Sequence, residues 1–257
     1  MNQVRHACIE TAEFIKKEAA QFSRDRIELK GLNDLVSYVD KQAEQKLVSA
    51  CKAILPEAGF ITEEGTDSTK GEVYNWIIDP LDGTTNFTHG LPIYAISIAL
   101  MRKDKIVLGV VHEINRNECF YTVEDEPAFC NERVISVNNT ELLQDSLLAT
   151  GFPYYNFEQM PQYLKILNTF MQKTHGLRRM GSAAVDLVYV ACGRFEGFFE
   201  YNLNAWDVAA GAFIVQQAGG TVADFEGGDN YIFGREIVAA GPVQLQMLRV
   251  ISEVWKS

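Results

Sequence analysis

Residues 76–87, WIIDPLDGTTNF, end an apolar run with two acids, Asp79 and Asp82, set around Pro80-Leu81, and pass straight into Gly83-Thr84-Thr85. Pro80 disfavours helical backbone at Asp79, so the strand is expected to stop there and the chain to turn. Asp82-Gly83-Thr84-Thr85 then reads as the opening of a helical turn, with Asp82 in the N-cap role. The Gly83 and Thr84 N–H groups would face outward, toward an anion. Two carboxylates held this close cannot both stay ionised unless positive charge lies between them. A hard divalent ion such as Mg²⁺, which shares carboxylates with substrate phosphate, suits that need. A capped turn, in which both acids only accept from backbone N–H groups, fits the same DPLDG.

Upstream of this stretch, residues 4–22 carry Val4, Cys8, Ile9, Ala12, Ile15 and Ala19 at helical spacing, and 39–55 do the same with Ala43, Leu47, Ala50, Cys51 and Ile54. From FIT (60–62) to AFC (128–130) the pattern changes to short β-branched and aromatic runs joined by turn residues, which predicts an antiparallel sheet. Beyond about Val137 strands and helices alternate: SLLATG, helix 158–173, helix 182–192, FEGFFEY, helix 205–218, TVADF, IVAAG and helix 242–255. Such alternation marks an α/β half. The expected organisation is an α+β half over 1–136, holding most of the acids, and an α/β half over 137–257.

The formal net charge of -11 opposes a nucleic-acid backbone, whose binding needs Lys and Arg against phosphates. No apolar run approaches the roughly 20 residues of a membrane span, and the N-terminus lacks the apolar block of a signal peptide. A cytoplasmic protein is expected. The five cysteines are scattered without CxxC spacing, so neither a zinc site nor a disulfide framework is expected.

Two more acidic segments end apolar elements. FITEE sets Glu63 and Glu64 after a strand, although a Glu-Glu pair is more often a solvated surface feature. NAWDVAAGAFIVQQAGG has Asn204 capping a helix and Asp207 at its third position, which a capping box alone also explains.

Together, WIIDPLDGTTNFTHGLP and WDVAAGAFIVQQAGG resemble the two signature motifs of the inositol monophosphatase family in its bacterial form. The likeness extends through LKGLNDLVSYVDKQAE, FITEE, AFCN, LLATGFPY, RRMGSAAVDLVYVACGRFEGFFE and IVAAGP. It implies a layered αβαβα sandwich of the inositol monophosphatase and fructose-1,6-bisphosphatase type, usually a homodimer. The implied reaction is Mg²⁺-dependent hydrolysis of a phosphate monoester by metal-activated water, with two or three ions. Carried over by position, Glu63, Asp79 and the Leu81 carbonyl hold one ion, and Asp79, Asp82 and Asp207 another. Glu63 and Thr84 orient the attacking water, Asp40 accepts from the Thr84 hydroxyl, and the amides of Gly83 and Thr84 receive phosphate. Glu200 meets a hydroxyl pair of the substrate, beside the backbone of Gly181, Ser182 and Ala183.

Lys30, expected in a loop, and Arg178, with Arg179 beside it, are further candidates for phosphate or substrate contact. The ordinary reading of each is a solvated lysine and a surface ion pair. Thr62 stands where the family commonly has glycine. The four histidines and Trp76 and Trp206 read as structural or solvent-facing. The expected substrate is inositol-1-phosphate. Fructose-1,6-bisphosphate, histidinol phosphate, 3′-phosphoadenosine 5′-phosphate and NADP are alternatives, as is a dual-role binding protein that keeps the fold.

Overall fold

A computed structural model of the chain describes residues 1–22, 27–31, 34–153 and 157–255, without the side chains of 27–36. Helices α1 (Asn2–Ala19) and α2 (Tyr38–Ile54) are joined through an antiparallel hairpin of β1 (Ile27–Gly31) and β2 (Asp34–Ser37). Seven strands then form one sheet in chain order: β3 (Gly59–Thr62), β4 (Tyr74–Asp82), β5 (Ala95–Arg102), β6 (Lys105–Glu113), β7 (Glu118–Val123), β8 (Phe129–Cys130) and β9 (Arg133–Val134). A six-residue helix, α3 (Thr84–His89), separates β4 from β5.

The second sheet contains β10 (Leu147–Thr150), β11 (Gly176–Arg178), β12 (Gly197–Tyr201), β13 (Thr221–Ala223) and β14 (Glu236–Ala240), in the spatial order β11-β10-β12-β14-β13. Its helices are α4 (Met160–Lys173), α5 (Ala183–Ala191), α6 (Ala205–Gln217) and α7 (Gln244–Trp255).

The layering follows from which way each strand residue points. Along β4, Trp76 and Ile78 join Cys8, Ile15, Ala43 and Leu47 of α1 and α2, whereas Ile77 joins Ala184, Leu187, Val208 and Ala209 of α5 and α6. In the second sheet Phe198 and Ala239 turn to that same α5–α6 layer, and Phe199, Val238 and Ala240 turn to Tyr163, Phe170, Met247 and Ile251 of α4 and α7. Period-two alternation therefore yields five layers, α1–α2, sheet, α5–α6, sheet and α4–α7, the αβαβα sandwich. Helix α6 is apolar nearly all round, with Val208 to Val215 buried. Exposing one Val or Phe forfeits roughly 1.5–3 kcal/mol, so such a helix is stable only with a sheet on each side.

Three local expectations are corrected. Strand β4 does not stop at Asp79: it runs to Asp82 through a bulge, Asp79 pairing with Ser97 and Asp82 with Ala95. Pro80 is tolerated at the bulge because the ladder is already interrupted there. Residues three apart on a regular strand face opposite sides of the sheet, and the one extra residue restores Asp79 and Asp82 to the same side. The sheet is also not wholly antiparallel, since β3 runs parallel to β4. That places the end of β3, and Glu63 just beyond it, beside the end of β4. Finally, Lys30 belongs to β1 of the hairpin and not to a loop, and its side chain lies outside the described residues.

Candidate active site

The acids converge where the ends of β3 and β4 meet the starts of four helices. One oxygen each from Asp79, Asp82 and Asp207 lies within 4.8 Å of the other two. Asp79 is 2% exposed. Its Oδ1 accepts the Leu81 N–H at 2.9 Å across the bulge, which orients the carboxylate and leaves Leu81 itself in the core under α1 and α2. Burial, and then the charges of Glu63, Asp82 and Asp207, push the Asp79 pKa well above the usual carboxylate range. Glu63 thus belongs to the same electrostatic cluster.

Asp82 does not cap α3. The N-cap is Gly83, whose left-handed φ of +101° is tolerated without a Cβ. The Asp82 carboxylate instead reaches α5, where Oδ2 accepts the Ala184 N–H at 2.6 Å and the Ser182 hydroxyl at 2.7 Å. Burial pushes its pKa up to about 6, against those bonds and the charge of Arg179. Ser182 is in turn the N-cap of α5, its Oγ accepting from the Val185 N–H. Ser182 and Ala183, expected as pocket lining, thus serve the helix start that fixes Asp82. Gly181 lies against Asn86 of α3, whose amide donates to the carbonyls of Met180 and Ile93.

Asp207 and Asp40 occupy equivalent places. Asp207 Oδ2 accepts the Asn204 N–H at 2.6 Å at the start of α6. Arg235 holds that entry segment by donating to Asn204 Oδ1 and to the Asn202 carbonyl. Asp40 is fully buried at the third position of α2 and accepts the Ser37 N–H at 2.9 Å, the Ser37 hydroxyl at 2.6 Å and the Thr84 hydroxyl at 2.8 Å. Burial raises its pKa, partly offset by these donors. The Thr84 Oγ1 also lies 3.1 Å from the Leu81 carbonyl. Thr84, on the first turn of α3, therefore links α2 to the β4 bulge.

One contributor escapes sequence reading. Glu44, fully buried on α2, accepts the N–H groups of Glu64 and Thr66 at 2.7 Å each and fixes the segment carrying Glu63. Thr62 adds a bond from its hydroxyl to the Asp67 carbonyl. Arg179, rather than Arg178, carries charge toward Asp82, Asp186 and Glu200, with its guanidinium 5.8 Å from the centre of the Phe152 ring. Arg178 is exposed and donates to the Leu177 carbonyl. Glu200, on β12, is 7% exposed, and burial followed by the charges of Asp207 and Asp82 raises its pKa despite Arg179. His112 is buried beneath α1, and His6 sits on exposed α1 surface beside Glu10. The cysteines are all free thiols, and no helix among the described residues is long and apolar enough to cross a membrane.

Residues 2–257 match the inositol monophosphatase family. The chain belongs to the inositol monophosphatase family. It is 43% identical over 254 residues to the putative Nus factor SuhB of Neisseria meningitidis serogroup B, covering 98% of this chain and 97% of that one. It is 36% identical over 255 residues to the inositol-1-monophosphatase of Mesorhizobium japonicum, covering 98% and 96%. Among solved structures, the extragenic suppressor protein suhB of Bartonella henselae superposes with a TM-score of 0.93 at 36% identity, covering 98% of each chain. The family is metal-dependent, and the cluster of Asp79, Asp82 and Asp207 fits that chemistry: one buried and two half-buried acids of one sign, drawn from distant segments, could hold a cation between them.

Proposed function

We propose that this chain is a Mg²⁺-dependent phosphate monoester hydrolase acting on inositol-1-phosphate and related polyol phosphates. The observation that carries the reading is the convergence of Asp79, Asp82 and Asp207 within 4.8 Å beside the start of α3. Glu63, Asp79 and the Leu81 carbonyl would hold one ion, and Asp79, Asp82 and Asp207 another, with Asp79 shared. Bound Mg²⁺ would supply Lewis acidity, polarising phosphoryl oxygens and making a bound water more acidic than bulk water.

The chain's own groups supply position. Thr84 has a single hydroxyl proton, and the bond to the buried Asp40 carboxylate at 2.8 Å holds it. The lone pairs of Oγ1 are thereby left to accept from an attacking water, which Glu63 would also orient. The main chain at Gly83 and Thr84, where no Gly83 side chain intrudes, receives phosphate. Glu200 accepts from substrate hydroxyls. Phosphoryl transfer demands mainly placement and charge neutralisation, and none of these roles requires a nucleophilic side chain.

Phosphate release measured over a panel of monoesters tests the proposal. Turnover is expected with inositol-1-phosphate, abolished by EDTA and restored by Mg²⁺. No release from any monoester with Mg²⁺ overturns it, and faster turnover of histidinol phosphate than of inositol phosphate overturns the substrate ranking. The same reading places the protein in the cytoplasm as a homodimer, with halves 1–136 and 137–257 meeting at the acids.

A second role is favoured by one finding: the Neisseria relative at 43% identity is named a putative Nus factor. We infer a protein-binding role beside hydrolysis. An Asp82→Asn variant that loses turnover yet still complements a deletion strain supports it, and loss of both together removes it.

A further inference from the structure

Ser97 on β5 is a buried serine, 1% exposed, that none of the roles above uses. It is the ladder partner of Asp79. Residues opposite one another on antiparallel strands point to the same side, with Cβ atoms about 4.5–5.5 Å apart, so Ser97 stands beside Asp79 on the face that meets α5 and α6. Ala95 and Ala99, two residues either way along β5, belong to that same layer. The Ser97 hydroxyl donates across it to the carbonyl of Trp206 on α6, at 3.1 Å.

Trp206 directly precedes Asp207, and its carbonyl shares one planar peptide group with the Asp207 N–H. A helical carbonyl keeps a second lone pair for such a bond. Holding this peptide therefore holds the point at which Asp207 leaves the helix. One strand residue thus stands next to one acid and grips the backbone of another.

The cap bond on Asp207 cannot do the same. The Asn204 N–H belongs to the entry of α6 and moves with it, so it orients the carboxylate and leaves open how far the helix stands from the sheet. One turn beyond Trp206 that distance is set by contact. A Cβ on Gly109 of β6, the ladder partner of Ala99, would lie 2.9 Å from the Ala210 carbonyl oxygen. Helix α6 is seated against bare backbone at Ala210 and tied by a hydrogen bond at Trp206.

We propose that Ser97 is a positioning residue: by tying the start of α6 to β5 it sets the gap between Asp79 and Asp207 in which a shared cation fits. The inference rests on the metal-dependent phosphatase reading above. Ligand groups need to be held within about 0.5 Å of their working geometry, which a bond at the ligand's own peptide can do.

Mg²⁺ is titrated calorimetrically into wild type, Ser97→Ala, Asp207→Ala, their double variant and Ser146→Ala. Ser146 is the control: it is fully buried, its hydroxyl donates to the Leu142 carbonyl at 3.0 Å, and its main chain bonds Leu143 and His175, so its bonds reach none of the acids. Loss of one buried hydrogen bond corresponds to roughly a tenfold change. Ser97→Ala is expected to bind Mg²⁺ about tenfold more weakly by that measure, and Ser146→Ala to bind it as wild type does, although both should melt lower in EDTA. In Asp207→Ala the gap has lost one side, so adding Ser97→Ala is expected to leave the residual Mg²⁺ affinity unchanged. On inositol-1-phosphate, the Mg²⁺ concentration giving half-maximal turnover should rise in Ser97→Ala by the same factor, with kcat recovered at saturating Mg²⁺. Wild-type Mg²⁺ affinity in Ser97→Ala, an equal loss in Ser146→Ala, or a further loss on adding Ser97→Ala to Asp207→Ala overturns the proposal. A wild type that binds Mg²⁺ but releases no phosphate removes the phosphatase reading alone, and calorimetry still decides Ser97. A wild type that takes up no Mg²⁺ removes both.

Discussion

Replacing Thr84 by Val removes one hydroxyl and almost no volume, and the structure allows both consequences to be sized. In the folded protein Asp40 is fully buried and, among the described residues, takes three hydrogen bonds, of which the Thr84 bond at 2.8 Å comes from outside its own helix start. Deleting that donor leaves a buried charged acceptor short of one partner, which costs about 1–3 kcal/mol. For a chain of this size the melting temperature falls by about 2–4 °C per kcal/mol, so a drop of several degrees is expected. The kinetic effect should be larger. Positioned proton transfer contributes about 10²- to 10⁴-fold, and Thr84→Val is expected to lower kcat by that order with KM little changed. Thr84→Ser keeps the hydroxyl and should stay within about tenfold of wild type, since one hydrogen bond weakened by extra rotamer freedom corresponds to roughly 1 kcal/mol.

A double-mutant cycle with Asp40→Asn isolates the link. If Asp40 acts on the reaction only by holding Thr84, its substitution should add nothing to kcat/KM once Thr84 is Val. The cycle is read on kcat/KM and not on stability, because Asp40 also holds Ser37. A Thr84→Val enzyme within threefold of wild type, or additive losses in the double variant, refutes the relay.

Glu44→Ala deprives the Glu64 and Thr66 N–H groups of their acceptor and should loosen Glu63. Calorimetric Mg²⁺ affinity is expected to fall about 10- to 100-fold, the usual effect of losing a group that supports a ligand, and an unchanged affinity would show that Glu44 only stabilises the loop. His112 is buried with no hydrogen-bond partner for either ring nitrogen among the described residues, and burial lowers its pKa to about 4 from an ordinary 6.5. Below pH 6.5 the unfolded chain takes up a proton that the folded one refuses, so stability falls as pH drops toward 4. Between pH 7 and pH 5 this removes ~2 kcal/mol, and urea denaturation of His112→Leu should lose that much less over the interval than wild type does. Mg²⁺ at 100 times its dissociation constant should raise unfolding free energy by about 2.7 kcal/mol. A melting temperature independent of Mg²⁺ would mean that the acids hold no ion.

Most of the elements were legible because strand and helix periods are written plainly in the apolar residues, whereas their layering was implied only by the resemblance of the motifs. Helices α1 and α2 lie within a few residues of their expected limits, and α6 declares itself by being apolar all round. What could not be read was local geometry that depends on a partner strand. The bulge in β4 exists only relative to Ser97 and Ala95 on β5, and Pro80 by itself reads as a stop. Strand β11 is three residues on a sheet edge, below any periodic signal. In the site, the acids were visible as types and spacings. Glu44 was not, because a Glu inside a helical stretch reads as solvated until the fold shows that it is buried.

The tension between a capped turn and a metal site, which the residues alone leave open, dissolves once the bonds are assigned. Asp40, Asp79, Asp82 and Asp207 each commit one oxygen to a main-chain N–H, of Ser37, Leu81, Ala184 and Asn204 respectively. Three of those N–H groups lie at the starts of α2, α5 and α6, where the helix dipole favours negative charge. Each bond fixes the plane of its carboxylate, so less ordering remains to be done when a cation arrives. The same bonds make the cluster tolerable without one, since each helix start offsets part of the repulsion that burial magnifies. Capping is therefore the means by which this fold holds mutually repelling acids in position, and removing a cap should weaken cation binding even where the ligand itself is untouched. Ser182→Ala withdraws the hydroxyl donor from Asp82 and the acceptor of the Val185 N–H at the start of α5, and leaves the Ala184 N–H on Asp82: Mg²⁺ affinity should fall with Asp82 still in place, and an affinity equal to wild type would show that the helix starts serve folding alone.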